Sequence, residues 1–197
     1  MKVRHLHGCA AAAFALLLTP PAREALEARM LVHMLVQLPL FVACGLALAS
    51  AIPPRAREAL ARWNANGIAG LLAFALVTAL LMIPRLLDLA VANVTVDALK
   101  AFALLAGGMA LRLSWARAGL LVQAFFLGNV VPMTAAVGQA YQDSPLRLCN
   151  AYLLEDQVQV GRTLVGAAVI VALVWLAQAA RALVRRERER EAAQAPA

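Results

Sequence analysis

The sequence predicts an all-α membrane protein, a polytopic transmembrane helix bundle of five or six spans. Of its 197 residues, 63% are hydrophobic and 15% are charged, and the mean hydropathy is +0.75. That composition is more apolar than a soluble domain of this length requires. The apolar residues fall in separate runs, and prolines and arginines stand between the runs. This alternation is typical of membrane helices and the loops that join them.

Residues 1–22 form a short apolar segment of ambiguous type. Lys2 and Arg4 precede an apolar run that ends at Pro20 and Pro21. The run is shorter than the ~20 residues of a typical span, and its basic start resembles that of a signal peptide. Prolines occupy the place where a cleavage site needs small residues. Two interpretations therefore stay open, a cleaved signal peptide and a retained first helix.

Residues 23–180 are predicted to form the helix bundle. The apolar runs end at prolines or charged residues, as helices leaving a bilayer do. Pro132 lies inside one run and predicts a kink there. Lys100 and Arg112 lie near the two ends of another run and are expected to extend to the membrane surfaces. The predicted spans lie near residues 30–51, 67–83, 98–113, 118–140 and 158–180.

Charge indicates how the bundle is oriented. Twelve of the 18 Lys and Arg residues fall in one set of alternating segments, which includes the charged tail at residues 181–197. We name this side the basic end; the opposite, acidic end carries seven of the 11 Asp and Glu residues. The positive-inside rule makes the basic end and the C-terminus cytoplasmic. The net charge of +7 is thus assigned to orientation, and 6% aromatic residues do not favour nucleic-acid binding.

One stretch at the acidic end carries residues that could bind a metal. Met30, His33, Met34 and Gln37 are three or four apart and share one helical face. An ionisable side chain in a span is by default a functional hypothesis, and thioether and imidazole groups are ligands of Cu(I). His33 is therefore the predicted central copper ligand, with Met30 and Met34 beside it. The alternative is that the methionines are packing residues and that His33 bonds across helices.

A second polar stretch lies before and within the last predicted span. Cys149, the cysteine that the topology places at the acidic end, is a metal ligand, a reactive thiol or a buried side chain. Asp156 and Gln157 are expected to orient the imidazole of His33. Arg162 needs an anionic partner inside the membrane, and Asp156, Glu155 and Glu27 are the candidates for it. An ion pair that fixes the bundle is the structural alternative.

The two stretches resemble motifs of a known family. The run Arg29-Met30-Leu31-Val32-His33-Met34-Leu35 resembles the HMxxHM-type helix of the polytopic CtaG family, which is linked to cytochrome c oxidase assembly. Asp156-Gln157, followed by Gly161, looks like that family's "DQ…G" stretch. The resemblance implies a multi-pass protein of the bacterial inner membrane that supplies copper to the oxidase. Arg29 stands where the family's first histidine would be, and an arginine cannot bind copper.

Two functions follow as hypotheses. The first is a non-enzymatic copper-handling or assembly factor for a haem-copper oxidase or a related membrane redox complex. The alternative is a metal-free accessory or structural subunit that binds a partner complex through its helices in the lipid bilayer. No nucleophile–base pair, phosphate loop or HExxH motif is present in the sequence. A small-solute transporter is disfavoured because the middle of each predicted span is nearly all aliphatic.

Overall fold

The computed structural model describes the backbone of residues 2–194 and the side chains of residues 5–194. Within that range the chain is all-helical, which confirms the predicted fold class. A helix bundle is what an apolar chain forms when its backbone groups must be paired internally. Nine helices follow in order: α1 Lys2–Leu17, α2 Pro20–Glu27, α3 Met30–Ala51, α4 Pro54–Trp63, α5 Ile68–Leu81, α6 Pro84–Ala92, α7 Val94–Trp115, α8 Leu120–Asp143 and α9 Leu154–Gln194.

Four of the described helices, α3, α7, α8 and α9, are long and apolar enough to cross a membrane. The pair α4 and α5 gives a fifth span if the two are counted together. Helix α1 is apolar but shorter. The prediction of several membrane-spanning helices is confirmed, and the structure counts four or five of them where the sequence predicts five or six.

The bend between α4 and α5 places α4 across the basic end of the bundle. The two helices meet at 85°, and Gly67 between them has a φ of 72°, a left-handed conformation that glycine adopts without steric penalty. Asn64 fixes the corner, because its Nδ2 donates to Ser114 Oγ at 2.8 Å and its Oδ1 accepts from Gly70 N at 3.1 Å. Helix α4, rich in arginine and amphipathic, therefore has the orientation of a helix lying along a membrane surface.

Several helix ends differ from the predicted ones, among them the start of α7 and the end of α9. Helix α7 begins four residues earlier than predicted, because the side chain of Asn93 accepts hydrogen bonds from Thr95 N at 2.9 Å and Val96 N at 3.3 Å and caps it. Helix α9 continues through the predicted tail to Gln194. Its 41 residues make it about 60 Å long, twice the ~30 Å of a bilayer core. The tail is thus a helical extension of the last span.

Glycines face each other at two close helix crossings. Gly45 and Gly108 face each other where α3 crosses α7, and Gly138 and Gly161 do so where α8 crosses α9. A Cβ atom on any of the four would overlap a backbone oxygen of the facing helix. Small residues let membrane helices approach closely enough for backbone packing. These crossings hold α3, α7, α8 and α9 in register.

The N-terminal segment packs as a helix against α3 and α7. Phe14 and Leu17 lie in a buried cluster with Phe41, Cys44 and Leu104. The rings of Phe14 and Phe41 meet edge to face, with centroids 5.7 Å apart, a favoured geometry for aromatic pairs. The structure thus contains the segment as a helix of the bundle, whereas its cleavage stays a prediction.

Helix α3 contains a π-helical segment, His33–Gln37, near its start. The Leu38 N–H donates to the carbonyl oxygen of His33, five residues back. Pro39 has no N–H to donate to the next turn, which favours this irregular pattern. Single π turns occur most often at functional sites. Here the segment turns His33 and Gln37 onto one buried face.

Candidate functional site

A group of buried charged and polar side chains lies at the acidic end, enclosed by α2, α3, α7 and the loop between α8 and α9. The side chain of Lys100, at its centre, is 1% exposed, and that of Asp97 is 3% exposed. Charges so deeply buried occur in proteins only when they are paired. We name this group the Lys100 cluster; its members are Arg23, Glu27, His33, Gln37, Asp97, Lys100 and Tyr152.

Three side chains surround the Lys100 ammonium. Its Nζ lies 2.7 Å from Asp97 Oδ1, 3.3 Å from Glu27 Oε1 and 3.0 Å from His33 Nε2. The contacts to Glu27 and His33 are hydrogen bonds, in which the ammonium donates, and the contact to Asp97 is an ion pair. The prediction that Lys100 extends to the membrane surface is wrong, because α2 covers this part of α7 and supplies a carboxylate.

Arg23 completes a balance of charge in the cluster. Its guanidinium contacts Asp97 Oδ2 at 2.5 Å and Glu27 Oε2 at 3.6 Å. Two cations thus face two carboxylates. Pairing of opposite charges offsets the cost of removing them from water. The balance therefore fastens α2, which contributes Arg23 and Glu27, to α7, which contributes Asp97 and Lys100.

His33 uses both of its ring nitrogens inside the cluster. Its Nε2 faces Lys100, which only donates, so Nε2 accepts that hydrogen bond. The ring hydrogen is then assigned to Nδ1, which donates to the Tyr152 hydroxyl oxygen at 2.6 Å. His33 is accordingly a neutral bridge from α7 to the loop before α9.

Gln37 joins the cluster from the next turn of α3. Its Nε2 donates to Glu27 Oε1 at 3.3 Å. Its Oε1 is buried and accepts no hydrogen bond from the described part of the chain. Because Glu27 Oε1 also contacts Lys100, this carboxylate is held from α3 and α7 together. Gln37 thus positions Glu27 and does not contact His33 through any hydrogen bond that the structure shows.

Asp156 and Gln157 do not orient His33, contrary to the prediction. Asp156 pairs with Arg29, at 3.6 Å between Oδ1 and Nη2. Gln157 satisfies the backbone of the preceding loop, because its Oε1 accepts from Leu148 N at 2.7 Å and its Nε2 donates to Tyr141 O at 3.2 Å. Both side chains are occupied by nearer partners at the start of α9.

Arg162 is exposed on α9 and forms no ion pair with any described residue. The predicted pair with Asp156 is therefore wrong. The buried face of α9 runs through Gln157, Val160 and Leu164, and Arg162 lies off that face. It lies eight residues, just over two turns, from the start of α9.

The predicted sulfur ligands lie together in a different environment from His33. Met30, Met34 and Cys149 belong to one buried apolar cluster with Tyr141 and Tyr152. Burial, and then the negative charge of Asp88, raise the pKa of the Cys149 thiol to about 11. The thiol is therefore protonated at neutral pH and poorly nucleophilic. Among the described residues, no group of three or more His, Cys, Asp or Glu side chains is arranged to hold a metal ion.

Asp88 on α6 organises the loop that carries Cys149 and Tyr152. Its carboxylate accepts from the backbone N–H groups of Asn150 at 2.9 Å and Ala151 at 3.2 Å. Hydrogen bonds of this kind fix a loop that has no regular structure. Asp88 thereby holds the segment from which Tyr152 reaches His33.

Sequence reasoning assigns no site role to Arg23, Asp97, Lys100 or Tyr152, and it considers Glu27 only as a partner of Arg162. A signal for four of them exists: Arg23 and Glu27 are four apart, and Asp97 and Lys100 are three apart. Such spacing places opposite charges side by side on a helix. Two such pairs of opposite charges, both at the acidic end, indicate a network of ion pairs between the helices that carry them. Tyr152, in an irregular loop, carries no comparable signal.

Comparisons of the chain with models of protein families, with curated proteins and with solved structures each gave no match. The function is therefore inferred from the Lys100 cluster, from the surfaces around it and from the two stretches described above. A site is a sounder basis for function than an overall fold, since one fold serves many functions.

Proposed function

We propose that the protein is a non-enzymatic accessory or assembly subunit of a membrane redox complex and that it acts by holding a partner through its helices. The observation that carries this proposal is the Lys100 cluster. Its charges balance, and its central ammonium is enclosed by two carboxylates and an imidazole. Such a network fixes the relative positions of helices, and both ring nitrogens of His33 are already hydrogen-bonded within it.

His33 does not fit the role of a copper ligand that the resemblance implies. A copper ion on Nε2 would have to displace Lys100, whose Nζ is 3.0 Å away. Two unit positive charges about 4 Å apart repel by roughly 4 kcal/mol at an effective dielectric constant of ~20. The other nitrogen is bonded to Tyr152. The geometry of His33 therefore favours a structural role.

The two stretches that resemble the CtaG family meet in space, which supports an assembly role for the region they form. Arg29, at the position of the family's first histidine, pairs with Asp156 at 3.6 Å. Gly161 forms the close crossing with Gly138. An ion pair and a glycine crossing are packing features. The resemblance supplies the partner class, a haem-copper oxidase or a related complex.

The extension of α9 supports contact with a partner outside the membrane. Every residue from Leu183 to Gln194 is exposed. A single helix of this length is only marginally stable in water, and this one presents the apolar Leu183 and Val184 beside alternating charges. A partner at the basic end would bury those side chains and stabilise the helix.

The proposal includes a location in the bacterial inner membrane, with the C-terminus in the cytoplasm. The distribution of Lys and Arg supports that orientation. A reporter enzyme that is active only in the cytoplasm, fused after Arg190, is expected to be active. A fusion active only outside the cytoplasm contradicts the orientation.

Copper handling by sulfur ligands is the second candidate function. It is favoured by one observation, that Met30, Met34 and Cys149 lie in the same buried cluster. Thioether and thiol groups are the donors that Cu(I) prefers. His33 is not part of this ligand set, and copper binding to Cys149 would release its proton.

One titration separates the two candidates. The purified full chain in detergent competes for Cu(I) with a chromogenic chelator, beside His33→Gln and a variant carrying Met34→Leu with Cys149→Ala. An accessory subunit is expected to leave the chelator complex unchanged. Stoichiometric binding that persists in His33→Gln and is lost in the sulfur variant establishes the second candidate. Stoichiometric binding lost in His33→Gln contradicts the assignment of His33.

The partner is tested in cells that lack the gene. We expect less assembled haem-copper oxidase, measured as spectroscopic haem content per milligram of membrane, and recovery with the complete chain. Unchanged oxidase content in the deletion strain contradicts this partner class. Variants of the Lys100 cluster that still yield folded protein serve as the control. They show whether oxidase content falls when the subunit is present but its contact with the partner is lost, or only when the subunit itself is missing.

A further inference from the structure

An apolar groove with a volume of about 370 Å³ opens on the side of the bundle near its basic end. Residues from α3, α5, α7, α8 and α9 line it, among them Leu46, Phe74, Phe126 and Val130. Its one charged lining residue is Arg112, and Trp115 lies one turn farther along α7. The groove therefore combines a long apolar floor with a cation at one end.

The depth of the groove matches one leaflet of a bilayer. Helix α8 starts at the basic end with Leu120, and Val130 lies ten residues farther on. That separation is about 15 Å at ~1.5 Å per residue, half of the ~30 Å hydrocarbon core. Arg112 and Trp115 are close to the C-terminal end of α7, where headgroups begin. Tryptophan and arginine are enriched at that level.

Arg112 is exposed and forms no ion pair with the described residues. Its neighbour in sequence, Arg117, instead donates to the backbone oxygen of Asn64 at 3.5 Å. A guanidinium presents a planar pair of donors that matches the oxygens of a phosphate. The free cation at the mouth of the groove is thus complementary to an anionic headgroup.

We propose that this groove binds one anionic phospholipid from the leaflet at the basic end, with an acyl chain along Phe74, Phe126 and Val130 and the phosphate on Arg112. Basic pockets between membrane helices are known to select anionic lipids. A larger apolar groove of about 450 Å³, lined by Met34, Leu38 and other apolar side chains, has no charged residue in its lining. A third groove has Lys100 in its lining, but that ammonium is already paired with Asp97 and Glu27. Charge complementarity therefore favours the Arg112 groove.

Native mass spectrometry of the full chain, titrated in detergent with phosphatidylglycerol or phosphatidylcholine, tests the proposal. We expect one tightly bound phosphatidylglycerol and about tenfold weaker binding of phosphatidylcholine. Both phosphates can accept from Arg112, but the choline cation cancels the headgroup charge and is repelled by the guanidinium. Arg112→Gln is expected to abolish the preference. Arg117→Gln, which removes an equal charge at the same end but outside the groove, is expected to retain it.

A second variant tests the acyl-chain site independently of charge. Val130→Trp fills the groove and is expected to weaken the binding of both lipids while Arg112 is intact. Equal binding of the two lipids by the native chain overturns the proposal. Equal loss of preference in Arg112→Gln and Arg117→Gln also overturns it, because the selection would then follow surface charge alone. Both arginines are exposed, so these two variants are expected to fold.

Discussion

At the scale of single residues, Lys100 has the largest predicted effect on stability. Lys100→Met leaves Glu27 and Asp97 buried with Arg23 as their remaining cation. Removing one partner of a buried ion pair lowers the free energy of unfolding by about 3–5 kcal/mol. We expect that loss in thermal unfolding of the detergent-solubilised chain.

The control for Lys100→Met is Arg162→Gln, which removes an equal charge from an exposed position. Its free energy of unfolding is expected to change by less than about 0.5 kcal/mol. Adding Glu27→Gln to Lys100→Met restores the charge balance and is expected to recover part of the loss. If Lys100→Met and Arg162→Gln unfold at the same temperature, the cluster does not hold the helices together.

Cys149 gives a prediction for pH. Burial, followed by the charge of Asp88, raises its pKa from 9.0 to about 11. In a chain with Cys9→Ala and Cys44→Ala, we expect a maleimide to react with folded Cys149 at pH 8 roughly 100 times more slowly than in SDS, since the thiolate is the nucleophile. The rate should rise toward pH 11. Similar rates in folded and unfolded chains at pH 8 contradict this.

The same shift in pKa makes stability depend on pH. The folded state holds the thiol proton more tightly than the unfolded state, so the stabilising contribution is complete below about pH 9. It is lost as the pH rises from 9 toward 11. The unfolding temperature should fall more over that range for the native chain than for Cys149→Ala. The difference between the two chains isolates Cys149 from other groups that titrate at high pH.

Residue type and helical spacing are sufficient to predict part of the site. Met30, His33, Met34 and Gln37 are all buried on one side of α3, and helical spacing is sufficient to group them. The partners of His33 were not predictable in the same way. Lys100 lies 67 residues away and Tyr152 lies 119 residues away in the chain, and only the fold brings them to the imidazole.

At the scale of elements, the crossing of α8 and α9 depends on the missing side chain of Gly161. Gly161→Ala places a Cβ against the backbone oxygen of Gly138, so the helices must separate. Overpacking of this kind lowers the free energy of unfolding by about 1–3 kcal/mol. Gly166→Ala on the same helix is the matched control, because its Cβ would meet nothing within 4 Å.

The control variant is expected to unfold at the native temperature or slightly above it, since alanine favours a helix over glycine by roughly 0.5–1 kcal/mol. Thermal unfolding in detergent measures both variants. An equal effect of the two substitutions would show that helix propensity, and not the close crossing, governs α8 and α9.

Elements were predictable from sequence where a local signal ends them. Pro53 and Pro84 mark loops that the structure also has, because proline removes a backbone donor wherever it falls. Helix α2 has no such local signal, since its charged residues are as typical of a loop as of a helix. Arg23 and Glu27 face a complementary pair on α7, and that tertiary contact is invisible in a local pattern.

At the scale of the whole molecule, the two ends differ in how their charges are used. The acidic end buries its ionic groups against each other in the Lys100 cluster. The basic end leaves its arginines exposed on α4, on α7 and along the extension of α9. Internal pairing produces rigidity, whereas exposed cations are available to lipids and partners. This distribution gives a bundle whose helices are held rigidly at the acidic end and whose cations are available for binding at the basic end.

Removal of residues 181–197 tests that division directly. The truncation deletes side chains that are exposed from Leu183 to Gln194, so the unfolding temperature of the bundle is expected to stay within a few degrees of native. Recovery of oxidase content in the deletion strain is expected to fall, because the truncation removes the proposed partner surface at the basic end. A matched chain in which Leu183 and Val184 are both replaced by Ser keeps the length and charge of the tail. If both tail variants restore the oxidase fully, the extension is not the surface that holds the partner. If the truncated chain unfolds at a much lower temperature, the extension supports the bundle itself, contrary to its exposure.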